Sequence, residues 1–414
     1  MTRKDIEIMA PVGSYESLMT AINAGANSVY FGVEQLNMRS KSSNNFTLDD
    51  LRNIASICYE NGVKSYLTLN TVMYDHDLSM MRKVIDAAKT SEVSAIIASD
   101  MAAISYARAN DVEVHISTQL NVSNYEALKF YAQFADVVVL ARELNMTQVK
   151  NIHKQIIAED LRGPYGEPVK IEMFVHGALC MAISGKCYMS LHENNASANR
   201  GACQQTCRKA YVVTEKETGN QLEIDHEYIM SPKDLCTIGF LDKVIGAGVR
   251  VLKIEGRARS AEYVKRVVET YNEAVNAILD GTYSKDKIDQ WESRLSEVFN
   301  RGFWDGYYLG RKMGEWSKVY GSKATKRKVY VGKVTNYFGK LNVAEVQIEA
   351  AELHKGDSIV VMGPTTGVVE DVVKEIRVDL EETEKANKGV LCSLPIDKVR
   401  RGDKLYKMVN VEEE

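Results

Sequence analysis

Short apolar runs recur along the first 260 residues, separated by segments whose apolar positions fall three and four residues apart. The runs are IEIMA (6–10), SVYFGV (28–33), KSYLTLN (64–70), SAIIAS (94–99), VEVHIS (112–117), DVVVLA (136–141), KIEMFV (170–175) and VLKIEG (251–256). They are rich in Val and Ile and largely apolar, as strands buried on both faces are. Between them the helical period appears. Ser14 opens a segment with Ser17, Leu18, Ala21 and Ile22 on one face, and a second runs from a capping Thr47 through Leu51, Ile54 and Cys58 to a stop at Gly62. Eight strands alternating with helices predict an α/β fold, a parallel (β/α)8 TIM-like barrel. A doubly wound open sheet is the alternative, and eight repeats fit the closed barrel better.

The stretch 176–250 between the seventh and eighth runs is far longer than an ordinary βα connection. It predicts a cysteine-rich insertion, 176–236, before the last strand, with a hairpin over 211–230 turning at Thr218-Gly219-Asn220. Helices are expected over 260–279 and 285–299. A connector follows to 328, with four basic residues clustered between 323 and 328: Lys323, Lys326, Arg327 and Lys328. The pattern then changes to short alternating strands: VYVGKV, NVAEVQI, DSIVVM, VVKEIRV, GVLCSL and KLYKM. The expected organisation is a barrel over 1–284, a helical extension and connector over 285–328, and a small β-barrel domain over 329–414.

Composition adds limits. The 414 residues are 45% hydrophobic and 26% charged with a net charge of −4, which argues against broad electrostatic wrapping of nucleic acid but leaves room for a local basic patch. Acidic and basic residues balance from 321 to 414. The N-terminal MTRKDIEIMAPVG lacks the apolar core of a secretory signal, and no run approaches the length of a membrane span. A cytoplasmic protein with no membrane partner is therefore expected, one whose thiols stay reduced.

That expectation changes the reading of the cysteines. Five of seven lie between 180 and 236: Cys180, Cys187, Cys203, Cys207 and Cys236. Clustered reduced thiols suit zinc or an iron–sulfur cluster. Structural zinc usually recruits tight pairs, whereas a loop-rich insertion can fold around a cluster from scattered positions, and both remain open on spacing alone. Cys58 and Cys392 fall on apolar faces and read as core.

In this fold the chemistry gathers at the C-terminal ends of the strands. Just past the proposed strands lie Glu34, Arg39, Asn70, Tyr74, Asp100, Thr118, Gln119, Arg142, Glu143, His176, Glu255 and Arg257. Arg39, Arg142 and Arg257, with Gln119, could hold an anionic small molecule, since guanidinium matches carboxylate. His176 and Glu255 could move protons. Rim residues such as Arg142 and Glu143 could equally pair with neighbours. Hydrolase signatures fail: His192-Glu193 lacks its partner histidine, Ser184 is not in G-x-S-x-G, and no phosphate loop or dinucleotide fingerprint is present.

The segment EMFVHGALCMAISGKCYMS (172–190) closely resembles the signature of the collagenase-like peptidases of unassigned mechanism, with Glu172, Phe174, Gly177, Cys180, Gly185, Cys187 and Ser190 matching. APVGS (10–14), STQLN (117–121), LARE (140–143), NRGACQQTCR (199–208), SPKDLC (231–236), KIEGR (253–257) and NRGF (300–303) resemble it too. Within that family the chain looks most like the branch acting in prephenate-dependent 5-hydroxylation of tRNA uridine. The resemblance implies a four-iron–four-sulfur cluster on Cys180, Cys187, Cys203 and Cys236, with Cys207 as the alternative fourth ligand. It also implies prephenate as co-substrate, tRNA as partner, and possible work alongside a paralogous subunit. The expected activity is that hydroxylation of the wobble uridine. The alternatives are a collagenase-like peptidase and a non-catalytic cluster-bearing subunit.

Overall fold

A computed structural model describes residues 1–41, 45–183, 186–211, 216–218, 230–310, 315–317 and 321–411. Strands β1 (Glu7–Pro11), β2 (Ser28–Phe31), β3 (Lys64–Leu69), β4 (Ala95–Ala98), β5 (Val114–Ile116), β6 (Val137–Val139) and β7 (Lys170–Gly177) pair in parallel in chain order. After the insertion, β9 (Val249–Ile254) pairs in parallel with both β7 and β1, which closes the ring at eight strands. Closure decides between the two expected architectures: the fold is the TIM-like barrel.

Side chains alternate along each strand, so one set faces the helices and the other fills the barrel. Ile8, Ala10, Val29 and Phe31 belong to the outer layer with Leu18 of α1 (Tyr15–Asn23) and Leu51 and Ile54 of α2 (Asp50–Glu60). Met9, Tyr30, Tyr66, Ile97 and Val251 form the inner layer. The ring of helices continues with α3 (Leu78–Thr90), α4 (Met101–Ala109), α5 (Tyr125–Tyr131) and α6 (Met146–Ala158). Helix α7 (Met189–Asn194) lies in the insertion, followed by α8 (Leu241–Gly246), α9 (Ala261–Leu279) and α10 (Lys285–Ser296).

Local capping followed the sequence in one helix and departed from it in the next. The Ser14 hydroxyl accepts the Ser17 N–H at 3.2 Å, as its position predicts. Thr47 does not cap α2. Its hydroxyl donates to Asp50 at 2.7 Å, and the helix starts at Asp50. Two strands were not foreseen. β8 (Asp234–Cys236), inside SPKDLC, runs antiparallel to the end of β7, and β10 (Phe303–Trp304) pairs in parallel with β8. The hairpin expected over 211–230 lies almost wholly outside the described residues.

The C-terminal region holds an antiparallel sheet of eight strands, from Lys326–Phe338 to Lys404–Asn410, around Val331, Val334, Ile348, Val361, Leu394 and Leu405, and a two-stranded pair of Leu353–His354 with Lys385–Ala386. VVKEIRV is not one strand: Gly367–Val372 turns back on Ser358–Gly363, and Ile376–Val378 starts afresh against Leu391–Pro395. The region docks on the barrel through Ala261, Val360, Met362 and Val368 and through the Lys328–Glu262 ion pair at 2.9 Å.

Candidate active site at the barrel mouth

Strand ends on one side and the insertion on the other enclose a cavity of about 150 Å³ at the C-terminal face of the barrel. Of the predicted mouth residues, Arg39, Asn70, Thr118, Gln119, Arg142, Glu255 and Arg257 all line it. Arg257 is buried and donates to Thr68 Oγ1 at 2.9 Å and to Asn37 Oδ1 at 2.7 Å. Burial lowers its pKa to about 10. Gly32 makes room for it, because a Cβ there would collide with the Arg257 guanidinium and the Asn37 amide.

Among the described residues, Glu255 is the one carboxylate on the lining, against five cationic side chains: Arg39, Arg142, Arg208, Lys253 and Arg257. Arg39 donates to its Oε1 at 3.0 Å. Burial pushes the Glu255 carboxyl up, but Arg39, Arg142 and Arg257 together outweigh it and hold the group below the ordinary carboxylate range. Its carbonyl accepts the Tyr263 hydroxyl at 2.9 Å and its N–H donates to the His176 carbonyl at 2.8 Å, which fixes the backbone.

Four buried polar atoms on the same lining have no protein partner: Arg142 Nε, Gln119 Oε1 and Thr118 Oγ1 from the barrel and Thr206 Oγ1 from the insertion. Buried polar groups are almost always paired in folded proteins, so such a cluster on a cationic cavity marks where a polar, anionic ligand fits. The Arg142 guanidinium also lies 3.9 Å over the Phe174 ring and donates to the Ala178 carbonyl at 3.2 Å, so its plane is set.

His176 does not reach the cavity. A bulge on β7 sets Phe174 opposite Lys253 but His176 opposite Ile254, so the strict alternation that would aim His176 inward is broken. Its ring is buried beside Tyr263, Tyr271 and Phe303, with Nδ1 at 3.4 Å from the Tyr271 hydroxyl. Burial, with help from Arg259, lowers its pKa to about 3. Its expected role in moving protons at the mouth has no geometric support.

Cys180, Cys187, Cys203 and Cys207 line the cavity from the insertion side. Cys236 does not. It sits on β8 opposite His176, buried beside Tyr271 and the Ile238 N–H, with its thiol pushed up to about 12 by burial. Cys207 instead feels the other three cysteines, and burial raises its thiol to about 11. The cysteine gathered with Cys180, Cys187 and Cys203 is thus Cys207, where the resemblance had preferred Cys236. No cysteine is in a disulfide. Among the described residues, no three His, Cys, Asp or Glu side chains already sit at metal-holding distance. Soft thiol donors on one wall, facing a cationic one, nonetheless match the chemistry an iron–sulfur cluster requires. Arg208 ties this wall to the two ends of the insertion: it donates to the Leu179 carbonyl at 2.8 Å, just past β7, and to the Ser231 hydroxyl at 2.9 Å and the Pro232 carbonyl at 2.5 Å, just before β8.

The remaining rim residues serve other ends. Asp100 accepts the Ala102 N–H at the start of α4 and the Met73 N–H, both at 2.9 Å. Glu143 is exposed. Of the basic connector, Lys326 pairs with Glu297 at 2.9 Å and Lys328 with Glu262. The sequence reading missed Lys253, whose ammonium lies 2.6 Å from Glu172 Oε1 with both side chains buried. The signal was present in the alternation of β9: Val251 faces inward, so Lys253 does too.

The family model of peptidase family U32 matches residues 13–318. The chain belongs to that family. Over 414 residues, 100% of both chains, it is 61% identical to a collagenase of Porphyromonas gingivalis. It is 31% identical over 369 residues to tRNA hydroxylation protein P1 of Bacillus subtilis, covering 87% of this chain and 84% of that protein. A third relative, the 23S rRNA 5-hydroxycytidine C2501 synthase of Escherichia coli, is 32% identical over 317 residues, 75% of this chain and 46% of that one. No helix among the described residues is long and apolar enough to cross a membrane.

Proposed function

We propose that this U32 protein is a cytoplasmic RNA-modifying enzyme that 5-hydroxylates the wobble uridine of tRNA, with prephenate as co-substrate and a four-iron–four-sulfur cluster. The observation that carries the reading is the cavity itself: four thiols on one wall, and on the other an excess of cations with the unpartnered Arg142 Nε, Gln119 Oε1 and Thr118 Oγ1. Prephenate is a dicarboxylate, and Arg39, Arg142 and Arg257 offer guanidinium groups to two carboxylates. Glu255, kept ionised by those arginines, is a weak base and serves instead to hold the Arg39 guanidinium in place beside the ligand. Cys180, Cys187, Cys203 and Cys207 would hold the cluster, which supplies one-electron redox chemistry when bound. The RNA-hydroxylating relatives support the substrate class.

Anaerobic purification with iron and sulfide assays tests the cofactor. Ala in place of Cys180, Cys187, Cys203 or Cys207 should each abolish iron retention, while Cys236→Ala should keep it. Zinc without iron in the wild type overturns the cluster, and retained iron in Cys207→Ala returns Cys236 to the ligand set. Deletion of the gene in a cell without a paralogue should remove tRNA 5-hydroxyuridine; an unchanged level sinks the activity. Hydroxylation that appears only when a paralogue is added would make the chain a cluster-bearing subunit.

The relative named collagenase favours a second reading, peptide hydrolysis. It requires a nucleophile with a base, and among the described residues no histidine lines the cavity beside its thiols. Gelatin cleavage that survives rigorous purification and is lost in a cavity variant would support it over RNA hydroxylation.

A further inference from the structure

A second groove, of about 720 Å³, opens on the outer side of the cysteine wall. Cys203 lines both spaces, so the groove and the inner cavity adjoin at that segment of the insertion. Its lining is dominated by neutral hydrogen-bonding groups, among them Gln35, Ser40, Asn194, Asn195 and Gln204. The charges on it cancel: Lys41 and Arg200 face Glu34 and Asp77, and Arg200 is already paired with Asp77.

At one end stands Tyr74. The Arg200 guanidinium carbon lies 4.2 Å from its ring centroid, yet 53% of the residue stays open to solvent. The platform is firmly mounted. Arg200 donates to Asp77 Oδ1 at 3.2 Å and to the Val72 carbonyl at 2.9 Å. Asp77 accepts the Tyr74 N–H at 2.7 Å, and Val72 N–H donates to the Asn199 carbonyl at 3.1 Å. A half-exposed aromatic ring backed by a fixed guanidinium, beside a row of amides and hydroxyls, is the chemistry that stacks and reads unpaired bases.

We infer that this groove receives the single-stranded RNA flanking the base to be modified, with a neighbouring base stacked on Tyr74 and the target base passing Cys203 into the inner cavity. The inference rests on the RNA-modifying function proposed above and adds the site that holds the substrate. Because the lining carries no net charge, recognition here comes through base faces and edges rather than phosphates, and the Tyr74 contribution should be insensitive to salt.

The test is binding of a short RNA stem-loop with an unmodified uridine in its loop to the full-length holoprotein, across a salt series. Duplex RNA of the same composition and gelatin serve as competitors. Tyr74→Ala should weaken stem-loop binding by on the order of tenfold or more at every salt concentration. Tyr74→Phe should restore it, and both variants should retain wild-type iron content. Equal binding by wild type and Tyr74→Ala overturns the groove assignment while leaving the proposed function standing. No stem-loop binding by the wild type overturns both. Gelatin that displaces the RNA, with the same dependence on Tyr74, makes the groove a peptide site and overturns the inference.

Discussion

The two walls of the central cavity are built in different ways. On the barrel wall the charged side chains are held by named partners. Arg257 is held by Thr68 and Asn37, Glu255 by Arg39 and Tyr263, and Lys253 by Glu172. On the insertion wall the cysteines share a face without converging, and Arg208 holds their segment to the two ends of the insertion through bonds that include two backbone carbonyls. The barrel wall is preorganised for a ligand. The insertion wall supplies soft donors whose final arrangement a bound cluster would complete, as metal binding and local ordering are coupled.

The contrast can be broken first at Lys253. Replacing it by Met strands the Glu172 carboxylate in the barrel interior and should cost about 3–5 kcal/mol in chemical denaturation, with much of that recovered by adding Glu172→Met. Cys203→Ala in the metal-free protein should change stability by no more than about 0.5 kcal/mol. Equal losses on the two walls would end the distinction.

A smaller effect is expected at Arg208, inside the insertion wall. Arg208→Ala removes three charge-assisted bonds and should cost about 2–3 kcal/mol, seen as faster proteolytic cleavage within 180–236 while the barrel core keeps its hydrogen-exchange protection.

His176 sharpens the comparison from the barrel side. Its folded pKa, about 3, lies well below the value of about 6.5 for an exposed imidazole. Between those values the unfolded chain binds a proton that the folded one refuses. Its contribution to stability is therefore intact above about pH 6.5 and declines as the pH falls, by about 1.4 kcal/mol per unit until about pH 3. His176→Gln, which keeps an acceptor for Tyr271, should flatten that part of the stability–pH curve. An unchanged slope would show that the ring is not buried as a neutral group.

The smallest effect belongs to the contact between barrel and C-terminal sheet. Glu370→Gln removes the partly exposed pairs with Lys265 and Arg266 and should cost less than about 1 kcal/mol, fading as salt is raised.

Much of this was legible in the chain. Val- and Ile-rich runs broken by helical periods determine a parallel barrel, because strands buried on both faces can be covered only by the intervening helices. The position just past each strand determined which arginines and which glutamate would face the mouth, since the fold opens its loops there. The clustering of cysteines determined a thiol-rich insertion.

Other features depended on three-dimensional pairing. A bulge in β7 turned His176 away from the cavity, and a two-versus-one residue count across two strands leaves no mark in the spacing of a single run. Lys253 faced inward by an alternation already visible in β9, but its charge is tolerable there only because Glu172, from another strand, lies beside it. β8 paired with β7 and so buried Cys236 against Tyr271, leaving Cys207 with the other three thiols. Local pattern determines where a chain is apolar and where it turns. Which of five similar thiols share a wall is set by contacts between segments far apart in sequence, and only the folded chain contains those.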